Sequence, residues 1–128
     1  MLEPKLVTLL LCDSVGQASG GRKTLYGLID HLRMGAFPAL LPHCAVFGRF
    51  GSGHGSFEAR FTIRGPNDRK VFETKSACKF SLDDPLQTAD VVLSIDNLQI
   101  PEPGTYWIEA WIGGKRLALM TPIYVDPT

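Results

Sequence analysis

Thiol, imidazole and carboxylate are the groups with which a short chain can do nucleophilic chemistry. This one offers Cys12, Cys44, His31, His43, His54, Asp13 and Asp30. A nucleophile needs a base within hydrogen-bond reach and a carboxylate to orient that base. Nothing in the spacing of these residues marks such a site, and no G-x-S-x-G elbow occurs. Asp30 and His31 are neighbours, so on a strand they face opposite ways and cannot act at one point. The same divergence separates His43 from Cys44 as metal ligands, and His54 stands in a glycine loop. Asp83, Asp84, Asp90 and Asp96 lack the D-x-D-x-D-G loop of a calcium site. Gly20-Gly21-Arg22-Lys23 is short and basic, but no helix and no Walker spacing follow it. The expectation is a protein without catalytic residues, metal or cofactor.

The bulk numbers narrow the class further. The chain has 128 residues, 45% hydrophobic and 20% charged, a folded composition long enough for one domain with a real core. Thirteen basic residues balance thirteen acidic ones, for a formal net charge of +0. That balance argues against a nucleic-acid binder and against a polybasic membrane anchor. Cys12, Cys44 and Cys78 are odd in number and widely spaced, which suits reduced, buried thiols better than a disulfide framework. Leu6 to Cys12 is apolar and ends in cysteine, as a lipidated signal would. Glu3 offsets Lys5, however, and Leu11 stands where such a signal has a small residue, so a first core strand is the expectation.

Strands are the elements that must position whatever chemistry there is. Leu6–Cys12 is apolar on both faces, Asp13–Arg22 reads as a Gly-rich loop, and Thr24–Met34 reads as a second strand with apolar residues on both faces. Gly35–Pro42 holds two prolines and is expected outside regular sheet, although Phe37, Leu40 and Leu41 should lie against something. His43–Phe50 is the third strand. Ser56–Arg64 alternates cleanly: Phe57, Ala59, Phe61 and Ile63 face the core, while Ser56, Glu58, Arg60, Thr62 and Arg64 face out. A turn at Gly65–Asp68 leads to Lys70–Thr74. Cys78–Leu82 and Ala89–Ile95 follow, the latter with Ala89, Val91, Leu93 and Ile95 inward. Many short strands with regular turn signals predict an all-β sandwich or barrel.

The best-specified stretch is Pro101–Ile112 with Gly113-Gly114 behind it. Ile100, Pro103, Gly104 and Tyr106 resemble the tyrosine corner of immunoglobulin-like and fibronectin-like sandwiches, in which the hydroxyl bonds back to the preceding loop. Ile108 stands where antibody domains carry a cysteine. The resemblance implies an immunoglobulin-like antiparallel β-sandwich over residues 1–128, ending in a C-terminal hairpin.

A two-residue turn at Gly113-Gly114 pairs Ile112 with Lys115, Ala110 with Leu117 and Ile108 with Leu119, a core face shared with Tyr106. On the other face Trp111 meets Arg116, Glu109 meets Ala118 and Trp107 meets Met120. Both tryptophans, a methionine and an arginine on one outward face resemble an interface. Three occupants compete for it: the Gly35–Pro42 segment, with Phe37 and Leu40 laid over the indoles; a second copy of the chain; or a ligand stacked on the tryptophans, such as a sugar. A one-residue slip of register would instead bury the tryptophans.

Over nearly its full length the chain also resembles a bacterial family of short proteins, a domain of unknown function. The resemblance lies in Cys12-Asp13, Leu25-Tyr26-Gly27-Leu28-Ile29-Asp30, Phe37-Pro38, Leu41-Pro42, Phe57-Glu58-Ala59-Arg60 and Pro101 to Trp107. It implies a cytoplasmic bacterial protein and no known activity. The expected function is a non-enzymatic interaction module, self-associating as a dimer or binding a protein partner through Trp107, Trp111, Arg116, Met120, Phe37 and Leu40. The alternative is a small-ligand or carbohydrate-binding sandwich using the same tryptophans.

Overall fold

A computed structural model describes residues 2–127. The strands are β1 (Lys5–Gln17), β2 (Lys23–Ile29), β3 (His31–Met34), β4 (Ala39–Gly51), β5 (Gly55–Arg64), β6 (Lys70–Glu73), β7 (Cys78–Leu82), β8 (Thr88–Ile100), β9 (Gly104–Ile112), β10 (Lys115–Arg116) and β11 (Thr121–Pro127). Two short 3-10 turns, Ser19–Gly21 and Pro66–Asp68, complete the regular structure. The smaller sheet runs β2-β1-β4-β8. The larger runs β3-β11-β9-β5-β6, with β7 beside the other end of β5 and β10 beside the end of β9. All pairs are antiparallel except β3 with β11.

Period-two burial explains the two layers. Leu9, Leu11, Val46, Phe50 and Ile95 of the smaller sheet close on Phe61, Ile63, Tyr106, Ile108, Ile123 and Val125 of the larger, in one core. Each large side chain buried this way contributes about 1.5–3 kcal/mol. The expected alternation of β5 is realised: Phe57, Ala59, Phe61 and Ile63 are all buried. Tyr106 closes the core at one end. Its hydroxyl donates to the Glu102 carbonyl at 2.6 Å, the bond back to the preceding loop that the sequence predicts.

Four local expectations are corrected. β1 runs on to Gln17, through the first half of the expected loop, because residues 14–17 pair with β2. The expected strand Thr24–Met34 is two strands. β2 lies in the smaller sheet and β3 in the larger, and the chain crosses at Asp30, whose carbonyl accepts the Tyr124 N–H at 3.0 Å.

The Gly35–Pro42 segment is also partly sheet, since Ala39–Leu41 pair with Ile100–Leu98. Proline is tolerated there because the ladder skips Pro42 and Asn97, and Asn97 takes a left-handed φ of 57°. Inward residues change parity across this point, from Cys44 and Val46 to Leu41 and Ala39, and on β8 from Ile95 to Leu98 and Ile100.

The hairpin is the fourth case. Gly113 and Gly114 both take positive φ, as a two-residue turn of this hand requires, and Lys115 and Arg116 pair as expected. Leu117 still donates to the Ala110 carbonyl at 2.8 Å. The ladder then loosens over residues 117–120 and resumes with Thr121 opposite Ile108 and Pro122 opposite Trp107. Leu119 and Met120 therefore lose their expected partners, and Leu119 is exposed. The slip is by two residues, so every side chain of β9 keeps its face.

One buried polar contact stitches the larger sheet where β6 ends. The Thr74 hydroxyl accepts from the Phe61 N–H at 2.8 Å and donates to the Phe61 carbonyl at 2.9 Å. Thr74→Val keeps the shape and strands the Phe61 N–H, so it should cost about 2 kcal/mol in urea unfolding. A loss below about 0.5 kcal/mol would show that the contact carries no weight.

Candidate functional site

The outer face of the larger sheet is where unusual side chains gather. β5 and β9 lie side by side with Arg60 opposite Trp111, Thr62 opposite Glu109 and Arg64 opposite Trp107. β10 adds Arg116 on the far side of Trp111, and β11 adds Pro122 beside Trp107. Each indole thus has an arginine as its cross-strand neighbour.

Glu109 sits between the two tryptophans and is only 3% exposed, although it points away from the core. Its carboxylate is fully engaged. Thr62 donates to Oε1 at 2.7 Å, Arg64 Nε to the same oxygen at 3.0 Å, and Arg116 Nη1 to Oε2 at 3.3 Å. Trp111 is tied into the same cluster, because its indole N–H donates to Thr62 Oγ1 at 3.0 Å. Burial pushes the Glu109 carboxyl up. The bonds from Thr62, Arg116 and Arg64, together with the Arg64 charge, more than offset this and hold it below the usual carboxylate range.

A depressed folded-state pKa stabilises above the unfolded value, and that stabilisation is lost as pH falls through the folded one. Melting temperature should therefore drop on acidification below the ordinary value of 4.5. Glu109→Gln should lessen that drop. An unchanged acid limb in the variant would remove Glu109 as its source.

Two hollows flank this cluster. One, of about 840 Å³, is walled by Trp111, Arg60, Arg64, Glu73 and Lys115. The other, of about 380 Å³, is walled by Trp107, Arg64, Asp68, Arg116 and Met120. Arg64 and its bond to Glu109 form the ridge between them. Trp111 is half-buried with its ring edge fixed, whereas Trp107 is 40% exposed. Tyr124, opposite Thr105, adds exposed apolar surface on the Trp107 side.

The sequence-predicted surface is brought together only in part. Trp107, Trp111, Arg116 and Met120 do share this face. Phe37 packs against the core, and Leu40 lies opposite Gln99 in the smaller sheet, exposed on the other side of the molecule. Neither hollow is lined by any residue of 35–42, so that segment does not cover the indoles. Sequence reasoning placed Arg60, Thr62 and Arg64 outward but did not join them to the tryptophans, because alternation says nothing about which strand lies beside which.

Among the described residues no hydrogen bond joins a candidate histidine to a candidate thiol. His43 Nδ1 lies 2.8 Å from Asp96 Oδ1 in an exposed pair, and His31 pairs with Asp126 at the β3–β11 edge. Cys44 points the other way from His43 and is fully buried. Burial first, then the nearby Cys12, Asp13 and Asp96, push its thiol up to about 11. Such a thiol is almost wholly protonated near neutrality, and its burial keeps it from reagents. A thiol reagent at pH 8 should label Cys44 only as the protein unfolds; labelling of the native protein at the rate of a free thiol would refute its burial. Among the described residues no cluster of three or more His, Cys, Asp or Glu is placed to hold a metal ion.

Two packed sheets, nearly all strand, define the class of fold. The chain belongs to a family of unknown function (DUF6941), whose model matches residues 7–126. A search of curated proteins finds no match. Among solved structures it is similar to the alkylpurine DNA glycosylase AlkC of Pseudomonas fluorescens bound to DNA containing an abasic site analog. The two are 10% identical with a TM-score of 0.59 over 98% of this chain and 31% of that one. The C-terminal domain of wzt is similar at 11% identity and a TM-score of 0.51, over 98% of this chain and 74% of that one. At these identities the likeness is one of fold, and this chain spans under a third of the glycosylase. Among the described residues no helix is long and apolar enough to cross a membrane.

Proposed function

We propose that this protein is a non-enzymatic interaction module of immunoglobulin-like architecture that binds through the outer face of its larger sheet. The observation that carries the reading is the clamped Glu109 with an indole on either side. A carboxylate buried on an outward face is costly unless every lone pair is engaged. Here the engagement fixes Trp111 and orients two arginines before any partner arrives, which lowers the ordering cost of binding. The architecture is supported by β1-β4-β8 adjacent in one sheet, β5-β9-β11 adjacent in the other, and Tyr106 at the start of β9.

The occupant that suits the Trp111 side is a ligand or an inserted segment. A hollow beside a fixed ring, flanked by arginine and lysine, is the form of a site that receives a ring or a side chain. Self-association is the second reading, favoured by the exposed Trp107 and Tyr124 on the other side. The two indole N–H signals in a 15N-correlated spectrum report directly on this face. Oligosaccharides and ring compounds that bind should move them more than other amides, and a broad library that moves neither would sink the ligand reading. Light scattering decides the second: a monomer at 100 μM (about a hundredfold above a micromolar Kd) would remove it.

A further inference from the structure

The ladder repeats one unit. Arg60 faces Trp111 and Arg64 faces Trp107, with the Thr62–Glu109 pair between them. Four residues of strand separate the two indoles, about 14 Å at the rise of an antiparallel strand. Two ring-sized platforms at a fixed interval, each beside a hollow, are suited to a linear ligand with repeating rings. Such a chain would cross the Arg64 ridge.

Charge selects among linear ligands. On the Trp111 side Lys70 is neutralised by Glu73 at 2.9 Å, and Lys115 lies 4.0 Å from Glu3. Glu58 faces Lys79 across the β5–β7 ladder. Arg64 is held by Glu109, with Asp68 at 3.8 Å. Among the described residues Arg60 enters no ion pair of this face, and it stands directly across from Trp111. For two platforms the surface therefore offers one guanidinium outside any close ion pair, Arg60, with Glu73 of the same hollow near enough to feel its charge.

We propose that this face binds a linear acidic glycan with a carboxylate on every second ring. One sugar ring would lie on Trp111, its carboxylate would meet Arg60, and a later ring would reach Trp107. This deepens the ligand reading above and rests on it. A single-stranded nucleic acid shares the rings and the negative charge but carries a phosphate on every nucleotide, and its binders line the track with excess cations. Here Glu58, Glu73 and Glu3 line the hollow, and they would repel so dense a charge.

The test is a tryptophan-fluorescence titration with a hyaluronan oligosaccharide, which carries a carboxylate on alternate rings, with dextran oligosaccharide and with oligo-dT, on the wild-type protein and on Arg60→Glu and Trp111→Phe. Near-UV circular dichroism checks that each variant is folded. The hyaluronan oligosaccharide should give a saturable change that Arg60→Glu weakens about tenfold or more, as loss of a charge-assisted bond and reversal of its sign require. Trp111→Phe keeps a ring and should weaken it less. Affinity should fall as salt is raised. Equal binding of dextran, tighter binding of oligo-dT, or indifference to Arg60→Glu would each overturn the acidic-glycan assignment while leaving the binding face in place. No response to any of the three probes also overturns it; the indole spectra with the wider library then decide separately whether the face binds ligands at all.

Discussion

Glu109→Ala should lower the melting temperature by on the order of 10 °C and dismantle the tryptophan face at the same time. The carboxylate accepts from Thr62, Arg64 and Arg116, so its removal leaves two guanidiniums and a hydroxyl without their acceptor. Truncating one member of a buried ionic cluster costs about 3–5 kcal/mol. Arg64 and Arg116 are partly solvated and recover some of this from water, which places the expectation near 3 kcal/mol. For a chain of this size that corresponds to roughly 10 °C. Thr62, freed of Glu109, would no longer fix the indole N–H of Trp111, so near-UV ellipticity should fall and emission should shift to the red. Glu109→Gln keeps an acceptor and should lie between wild type and alanine. A melting temperature within about 2 °C of wild type for the alanine variant would mean that the cluster does not stabilise the fold.

Gly65→Ala should be as damaging, through packing at the other end of β9. A Cβ on Gly65 would stand 2.6 Å from Tyr106 Cε2 and 3.0 Å from its Cδ2. That ring cannot withdraw easily. It is 1% exposed, and its hydroxyl is tied to the Glu102 carbonyl. Overpacking of a closed core costs about 1–3 kcal/mol, and the upper part of that range applies where the neighbour is rigid. The effect should be non-additive with Tyr106→Leu, which removes the obstacle: the double variant should be no less stable than Tyr106→Leu alone, measured by urea unfolding. Full additivity would show that Gly65 and Tyr106 are not in contact. Tyr106→Phe, losing only the hydroxyl, should cost about 1 kcal/mol.

What was legible in the sequence was what period two and turn chemistry can encode. Phe57, Ala59, Phe61 and Ile63 declare a one-sided strand because Glu58, Arg60 and Thr62 lie between them. Gly113-Gly114 declares its turn because both residues must take positive φ. Ile100, Pro103, Gly104 and Tyr106 declared the bond back to the corner loop.

The crossing at Asp30 was not legible. A strand that changes sheet within one residue needs no glycine or proline, and β2 and β3 together look like one run. The paired skip at Pro42 and Asn97 was hidden for a related reason, since the two residues lie 55 positions apart in the chain and act together. At the hairpin the registration error was two residues, which alternation cannot detect because faces repeat every two. The site itself was half-read. Trp107, Glu109 and Trp111 fall on one face from β9 alone. That Glu109 would be buried depended on Thr62 and Arg64 arriving from β5, and strand adjacency is a tertiary fact.

The parallel pairing of β3 with β11 has a mechanical side. β1 lies between β2 and β4, and β11 lies between β3 and β9, so neither the first nor the last strand is an edge strand. The two-sided hold is short, however: Leu11 and Cys12 are paired on both sides of β1, and Tyr124 and Val125 on both sides of β11. Tension along the chain therefore first loads Lys5–Leu10 against β4 alone and Asp126 and Pro127 against β3 alone. Stretched between two attachment points, such a module should fray at its ends and keep its tryptophan face in register until the doubly held residues yield.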